Sequence, residues 1–402
     1  MKFQESPRNR AQMHVVVTGT SGIGKSAFLV YFTIRLLATG SDDNPSIVIF
    51  QEKRGSKCYV YGGLSTLRYG DIEDFRPFLN LPETWYLVDS SPNPLLERAR
   101  TIISASPKTL HSEMNQYQEV DKRVPWHYYM APWMLEELER SQEPMGELYG
   151  MVGGVPRYVL ETPMNVLNLG PGDTAGAKKS ACARVLQAID LVRAPLRMMQ
   201  CFEQGGESLG YSSRLLHRWP TEDHKDFRLE WASTYIADEI GKSLQDVTWQ
   251  QILEKLIGVN VGTAKGPMFE LYVQHIFRKG GYEFQIKGLQ DGSDTTFRIL
   301  ADSSVELFDE ISTTYNYACI DLLLSPGHLF QVTIHSSGDA HLVFIVPSEI
   351  YDNFPEQKYL STTGTVYKRV PKLIRPVKQF VLKIDLKSAS TGKSPGICGP
   401  AY

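Results

Sequence analysis

No stretch of the chain approaches the roughly 20 consecutive apolar residues that a membrane-spanning helix needs, so no membrane partner is expected. Cysteine is scarce: Cys58, Cys182, Cys201, Cys319 and Cys398 are scattered, odd in number and never in CxxC spacing. That pattern argues against a disulfide framework and a cysteine-bound zinc, and it fits a reducing compartment. Neither sign of charge dominates. The formal net charge is -3, so a nucleic-acid partner would have to be held by a local patch. Residues 1–12 are polar and lack the apolar core of a secretory signal, which makes a soluble intracellular protein the expectation. Repeats and low-complexity tracts are missing as well. What remains, 402 residues of ordinary globular composition, is too long for one typical core and implies two domains.

The first block alternates short apolar runs with helical spacing. Residues 13–18 (MHVVVT) are continuously apolar, as in a strand buried on both faces. A glycine-rich turn follows, then Phe28, Leu29, Phe32 and Leu36 at the spacing of a helix over 26–37. Further strands are expected at 46–50 (SIVIF), 85–88 (WYLV), 101–104 (TIIS) and 128–130. Strands separated by helices predict a parallel α/β sheet. The breaker cluster at 170–173 follows, and the stretch to residue 255 reads as helical or irregular. In the last third a helix is expected over 265–279, then strands at 282–286, 318–324, 329–334 and 341–346. The resulting expectation is three parts: a nucleotide-binding parallel sheet over 1–165, a helical linker over 166–255, and a smaller α/β domain over 256–402.

Residues 19–26, GTSGIGKS, match the phosphate-loop pattern G-x-x-x-x-G-K-[ST] in full. Glycines at 19, 22 and 24 let backbone N–H groups turn toward phosphates, and the following helix adds its dipole. On this reading Gly19, Thr20, Ser21, Gly22, Ile23, Gly24, Lys25 and Ser26 cradle a nucleotide. Lys25 would reach the β- and γ-phosphates, and the Ser26 hydroxyl would join a Mg²⁺ shell. Asp89, at the end of WYLVDS, is the matching carboxylate for that ion. Ser104 and Ser106 are candidates to sense the terminal phosphate, and Arg157 in GGVPRYVLE is a candidate arginine finger in cis. Ser90 and Ser91 stand where a glutamate would serve as hydrolytic base, which leaves Glu52 as the candidate. No guanine-reading signature such as NKxD is visible in the right place, and the sequence does not fix ATP over GTP; the nucleotide taken in this reading is ATP with Mg²⁺.

Taken together, GTSGIGKS, WYLVDSSPNP, TIISASP and GGVPRYVLE resemble, in order and spacing over 13–165, the P-loop module of the Crinkler effectors and of the trypanosome retrotransposon hot spot proteins. The resemblance implies a P-loop NTPase followed by a domain similar to restriction endonucleases, in a secreted effector acting in a host nucleus. It also implies DNA, and a host nuclear protein, as partners. Restriction-like sites gather a helix carboxylate and two strand carboxylates around Mg²⁺, with a lysine nearby. Here the candidates are Glu270, Asp321, Gln331 and Thr333, with 331 and 333 on one strand face. Gln331 and Thr333 depart from the usual Glu-x-Lys, so either Lys265 or Lys287 supplies the cation or metal-dependent cleavage is impaired. His335 and His341 are near in sequence. The tail from Lys358 to Lys393 holds nine cations against Asp385 alone, interleaved with Tyr359, Tyr367 and Phe380, a pattern that suits phosphate contacts. Two functions therefore stand side by side: Mg²⁺-dependent DNA nicking coupled to ATP, and a nucleotide-gated switch whose degenerate nuclease fold only binds. A small-molecule kinase is a third, disfavoured by the second domain.

Overall fold

The computed structural model of the chain describes residues 14–40, 45–53, 55–63, 66–91, 94–107, 126–139, 146–192, 197–198, 200, 212–258, 262–299, 330–336, 339–359, 366–369 and 378–396. It divides into two compact units, residues 1–190 with 203–236, and residues 191–202 with 237–402.

The first unit is built on seven strands: β1 (His14–Thr18), β2 (Ile47–Gln51), β3 (Lys57–Gly62), β4 (Leu67–Asp71), β5 (Trp85–Asp89), β6 (Arg100–Ser104) and β7 (His127–Tyr129). Their order across the sheet is β4-β3-β2-β5-β6-β1-β7. From β2 to β7 every neighbouring pair is parallel. β3 and β4 extend the β2 edge as antiparallel strands. Alternation explains why β1 carries three valines in a row, Val15 to Val17, before Thr18. Val16 packs on one face with Ile49, Tyr86, Val88 and Ile103, while Val15 and Val17 pack on the other with Val48, Leu87 and Ile102. Helix α1 (Lys25–Thr39) covers that second face with Leu29, Phe28, Phe32 and Leu36. Full burial of a side chain such as Leu29 contributes about 1.5–3 kcal/mol.

Two features depart from the sequence reading. β3 (KCYVYG) and β4 (LRYGD) are strands that the sequence reading did not expect; β3 buries Cys58 and Val60, whereas β4 is mostly exposed and carries little apolar signal. Within the stretch expected to be helical or irregular, β8 (Leu216–Pro220) and β9 (Phe227–Trp231) form an antiparallel hairpin. Its turn covers the edge strand β7: Tyr129 N–H donates to His224 O at 2.9 Å, and the Tyr128 and His224 rings stack at 4.6 Å. An edge covered in this way is protected from pairing with other chains.

The second unit carries a mixed sheet of β10 (Tyr282–Gly288), β11 (Asp294–Ile299), β12 (Phe330–Ser336), β13 (Asp339–Pro347) and β14 (Lys378–Ile384) in the order β11-β10-β14-β13-β12. Only the β13–β14 pair is parallel. The helix Gly262–Lys279 buries Phe269, Tyr272, Val273, Ile276 and Phe277, and the Phe277 ring stacks on Phe284 of β10 at 5.9 Å. Lysines 378 and 383, counted in the basic tail, flank the buried residues Val381 and Leu382 of the central strand β14. Lys383 lies 5.5 Å over the Tyr351 ring. The strand expected at 318–324 lies outside the described residues. Among the described residues no helix is long and apolar enough to cross a membrane.

Candidate functional site

β1 ends at Thr18, and the chain passes through the glycine loop 19–26 into α1. Gly19, Gly22 and Gly24 all hold positive φ, at 135°, 92° and 98°, a region that side chains rarely tolerate. Two of them are also hemmed in. A Cβ on Gly19 would stand 2.6 Å from Met130 O, and one on Gly22 would stand 2.9 Å from a Val155 methyl. The loop and the strand end that leads into it are fastened from two further segments, residues 130–133 and β8. Trp133 Nε1 donates to Ile23 O at 2.9 Å, Met130 N to Thr18 O at 2.8 Å, and Arg218 N to the Thr20 hydroxyl at 2.8 Å. The N-terminus of α1 has neither a side-chain cap nor an acidic residue in its first turn. Its donors and its dipole are therefore available to an anion.

Lys25 is 8% exposed and its ammonium donates to Gly19 O and Thr20 O, both at 2.9 Å. Burial pushes its pKa down to about 7, helped by the neighbouring charges of Arg218, Arg157 and Lys53 and opposed by Asp89. A buried cation among other cations is a poor partner for itself and a good one for a polyanion. Across the sheet, β5 and β6 pair so that Asp89 lies level with Ser104. The hydroxyls of Ser26 and Ser104 both donate to Asp89 Oδ1 at 2.9 Å. Ser90 holds φ 52° and donates N–H to Ser104 O at 2.9 Å, which locks the strand ends together.

These groups open onto a cleft of about 670 Å³, within the roughly 300–1,000 Å³ typical of small-ligand pockets. Its floor is the loop with Lys25 and Ser26, and one wall is Ser90, Ser104 and Ser106. Pro156, Arg157, Leu160 and Met164 form the opposite wall. That wall is a π-helical turn, Arg157–Glu161, running into the helix Thr162–Leu169. Arg157 N–H donates to Gly22 O at 3.4 Å, and its guanidinium lies 3.6 Å from Glu161. The two glycines before it allow a close backbone crossing. A Cβ on Gly153 would stand 2.0 Å from Ala232 O, and one on Gly154 would stand 2.0 Å from Trp133 O.

The structure brings together Lys25, Ser26, Asp89, Ser104, Ser106 and Arg157. Glu52, expected as a hydrolytic base, instead accepts a hydrogen bond from Tyr59 and does not line the cleft. Glu270 lies half-buried on the helix Gly262–Lys279. Asp321 lies outside the described residues. Gln331 and Thr333 fall in β12, level with Phe344 and Leu342 of β13, and their side chains, with those of His335, His341 and Lys265, are also outside the description. Lys287 pairs with Asp294 and Val381 in the sheet. Among the described residues no group of three or more His, Cys, Asp or Glu side chains could hold a metal ion. One carboxylate and one serine suffice where phosphates and water complete a Mg²⁺ shell.

Three residues had no signal in the sequence. Lys53 lines the cleft from the turn after β2. Arg218, 5% exposed, lies 4.4 Å over the Phe227 ring, and burial lowers its pKa to about 10. His217 beside it is buried and held neutral, its pKa pushed down to about 3 by desolvation. Compared with known proteins, the chain matches no family model, and no curated protein matches it.

Proposed function

We propose that the first unit binds a nucleoside triphosphate with Mg²⁺, ATP by the sequence reading, and acts as a P-loop NTPase. The observation that carries this reading is the meeting of Ser26, Asp89 and Ser104 beside the buried ammonium of Lys25, at the mouth of an uncapped helix. The donors fit the ligand. Glycine-loop N–H groups and Lys25 suit phosphate oxygens, while Ser26 and Asp89 suit a hard divalent cation. The charges fit too: Lys25, Lys53 and Arg157 line the cleft, which a magnesium-bound triphosphate would neutralise. Bound Mg²⁺ would screen phosphate charge, and Arg157 would close over the loop from the π-turn.

The wider proposal is a Crinkler-like effector in which this nucleotide cycle governs a nuclease-like second unit that acts on DNA in a host nucleus. It rests on the motif order over 13–165 and on the α/β make-up of the C-terminal third. The nucleotide-gated binder remains as the second reading, favoured by neutral Gln331 and Thr333 and by the engagement of Glu52 with Tyr59. Supercoiled plasmid incubated with ATP, Mg²⁺ and the full chain separates them. Nicking lost in Asp321→Ala and in Lys25→Ala supports the coupled nuclease; nucleotide turnover with intact plasmid supports the binder.

A further inference from the structure

We infer that Lys53 is the residue that meets the terminal phosphate, supplying in cis the charge that distinguishes a triphosphate from a diphosphate. The inference rests on the nucleotide reading above and names a contact that reading leaves open.

β2 and β5 are parallel, with Gln51 level with Val88. Lys53 stands in the turn two residues past the end of β2, and Ser90 is the residue just past the end of β5. Lys53 lines the same cleft as Lys25, Ser90, Ser104 and Ser106. Ser26 and Asp89 would hold a Mg²⁺ ion that accompanies the last two phosphates. The terminal phosphate would then lie near Asp89 and Ser90, in the cleft that Lys53 also lines. Its charge also reaches Lys25, whose pKa it helps to lower.

The backbone that carries Lys53 is held in place. The Gln51 side chain is 2% exposed; its Nε2 donates to Gly55 O at 2.8 Å and to Ser91 Oγ at 3.0 Å, and its Oε1 accepts from the Tyr86 hydroxyl. Glu52 N–H donates to Lys57 O at 3.0 Å across the turn. A buried glutamine satisfied at both ends fixes the turn that presents the lysine. The other wall cation is differently placed. Arg157 is bound through its N–H to the apex of the loop at Gly22 and lies within ion-pair reach of Glu161. Lys53 forms no ion pair among the described residues and is exposed to the cleft.

The test is titration calorimetry of ATP and ADP, each with Mg²⁺, on the full chain and on Lys53→Gln, Lys53→Arg and Arg157→Gln. Lys53 is exposed, so its variants are expected to fold, and thermal melts check this. Loss of one charge-assisted phosphate contact weakens ATP by about 10- to 100-fold while ADP stays within about twofold. Lys53→Arg keeps most of the ATP preference, and Arg157→Gln weakens both nucleotides. If Lys53→Gln weakens ATP and ADP alike, or neither, the assignment is overturned while the nucleotide site stands. If the wild-type chain binds neither nucleotide, the nucleotide reading itself falls and this inference with it.

Discussion

The backbone N–H of Arg218 donates to the Thr20 hydroxyl at 2.8 Å, fastening the glycine loop to a hairpin 198 residues further along the chain. Both groups are buried, so the bond cannot be replaced by water without rearrangement. Thr20→Val keeps the shape and removes the acceptor. It should lower stability by about 1–3 kcal/mol, the cost of leaving a buried donor unpaired. Thr20→Ser should recover most of that loss. Denaturant unfolding of the three proteins measures it.

Loading should be linked to protons. Lys25 titrates at about 7 in the free protein, mainly because it is buried. A bound triphosphate favours the charged form and returns the pKa toward the ordinary lysine range. At pH 8 binding should then take up about 0.9 proton and at pH 6 only about 0.1. Affinity should fall as pH rises above 7. Calorimetry in buffers of different ionisation enthalpy reads the uptake directly; enthalpies independent of buffer at pH 8 would contradict it. The same depression acts on folding. The charged ammonium is penalised in the fold below pH 7, and the penalty is relieved as pH rises from 7 toward the unfolded value near 10.5.

Asp89 is assigned to the cation and not to the nucleotide itself. Asp89→Asn should therefore abolish the gain in ATP affinity that Mg²⁺ gives, without weakening ATP measured in EDTA. Removing a negative charge near the phosphates makes a modest gain in EDTA the expected sign. A variant whose Mg²⁺ dependence equals that of wild type would place the ion elsewhere.

Gly153→Ala tests the crossing that carries the π-turn. The residue holds φ 74°, and a methyl there would press on Ala232 O at 2.0 Å and on the His217 ring at 2.6 Å. Strain and overpacking together predict a loss of at least about 2 kcal/mol. The loss should appear as a lower melting temperature.

Sequence and structure agree most where packing leaves no choice. β1, β5 and β6 lie between covered faces, so their central residues, Val15 to Val17, Trp85 to Val88 and Ile102 with Ile103, are apolar and read as strands. The loop 19–26 is legible because three glycines, a lysine and a serine are each fixed by chemistry at a set spacing. β4 is different: Leu67, Arg68 and Tyr69 are exposed, so no apolar run marks it. β8 buries His217 and Arg218 instead of aliphatic residues, which hides the hairpin that fastens Thr20. Lys53 belongs to no motif. Its place in the cleft follows from strand register and from the hydrogen bonds of Gln51, relations that appear only once the chain is folded. Glu52 shows the converse, because a carboxylate one residue past a strand end is drawn to Tyr59 on the neighbouring strand.

The most direct test of the central claim is calorimetric titration of ATP with Mg²⁺ into the full chain, beside Lys25→Ala. The expected result is a saturable, Mg²⁺-dependent isotherm with one site per chain, weakened about 100-fold or more when the ammonium is removed. No saturable binding by wild type, or equal binding by the Lys25→Ala protein, would contradict it.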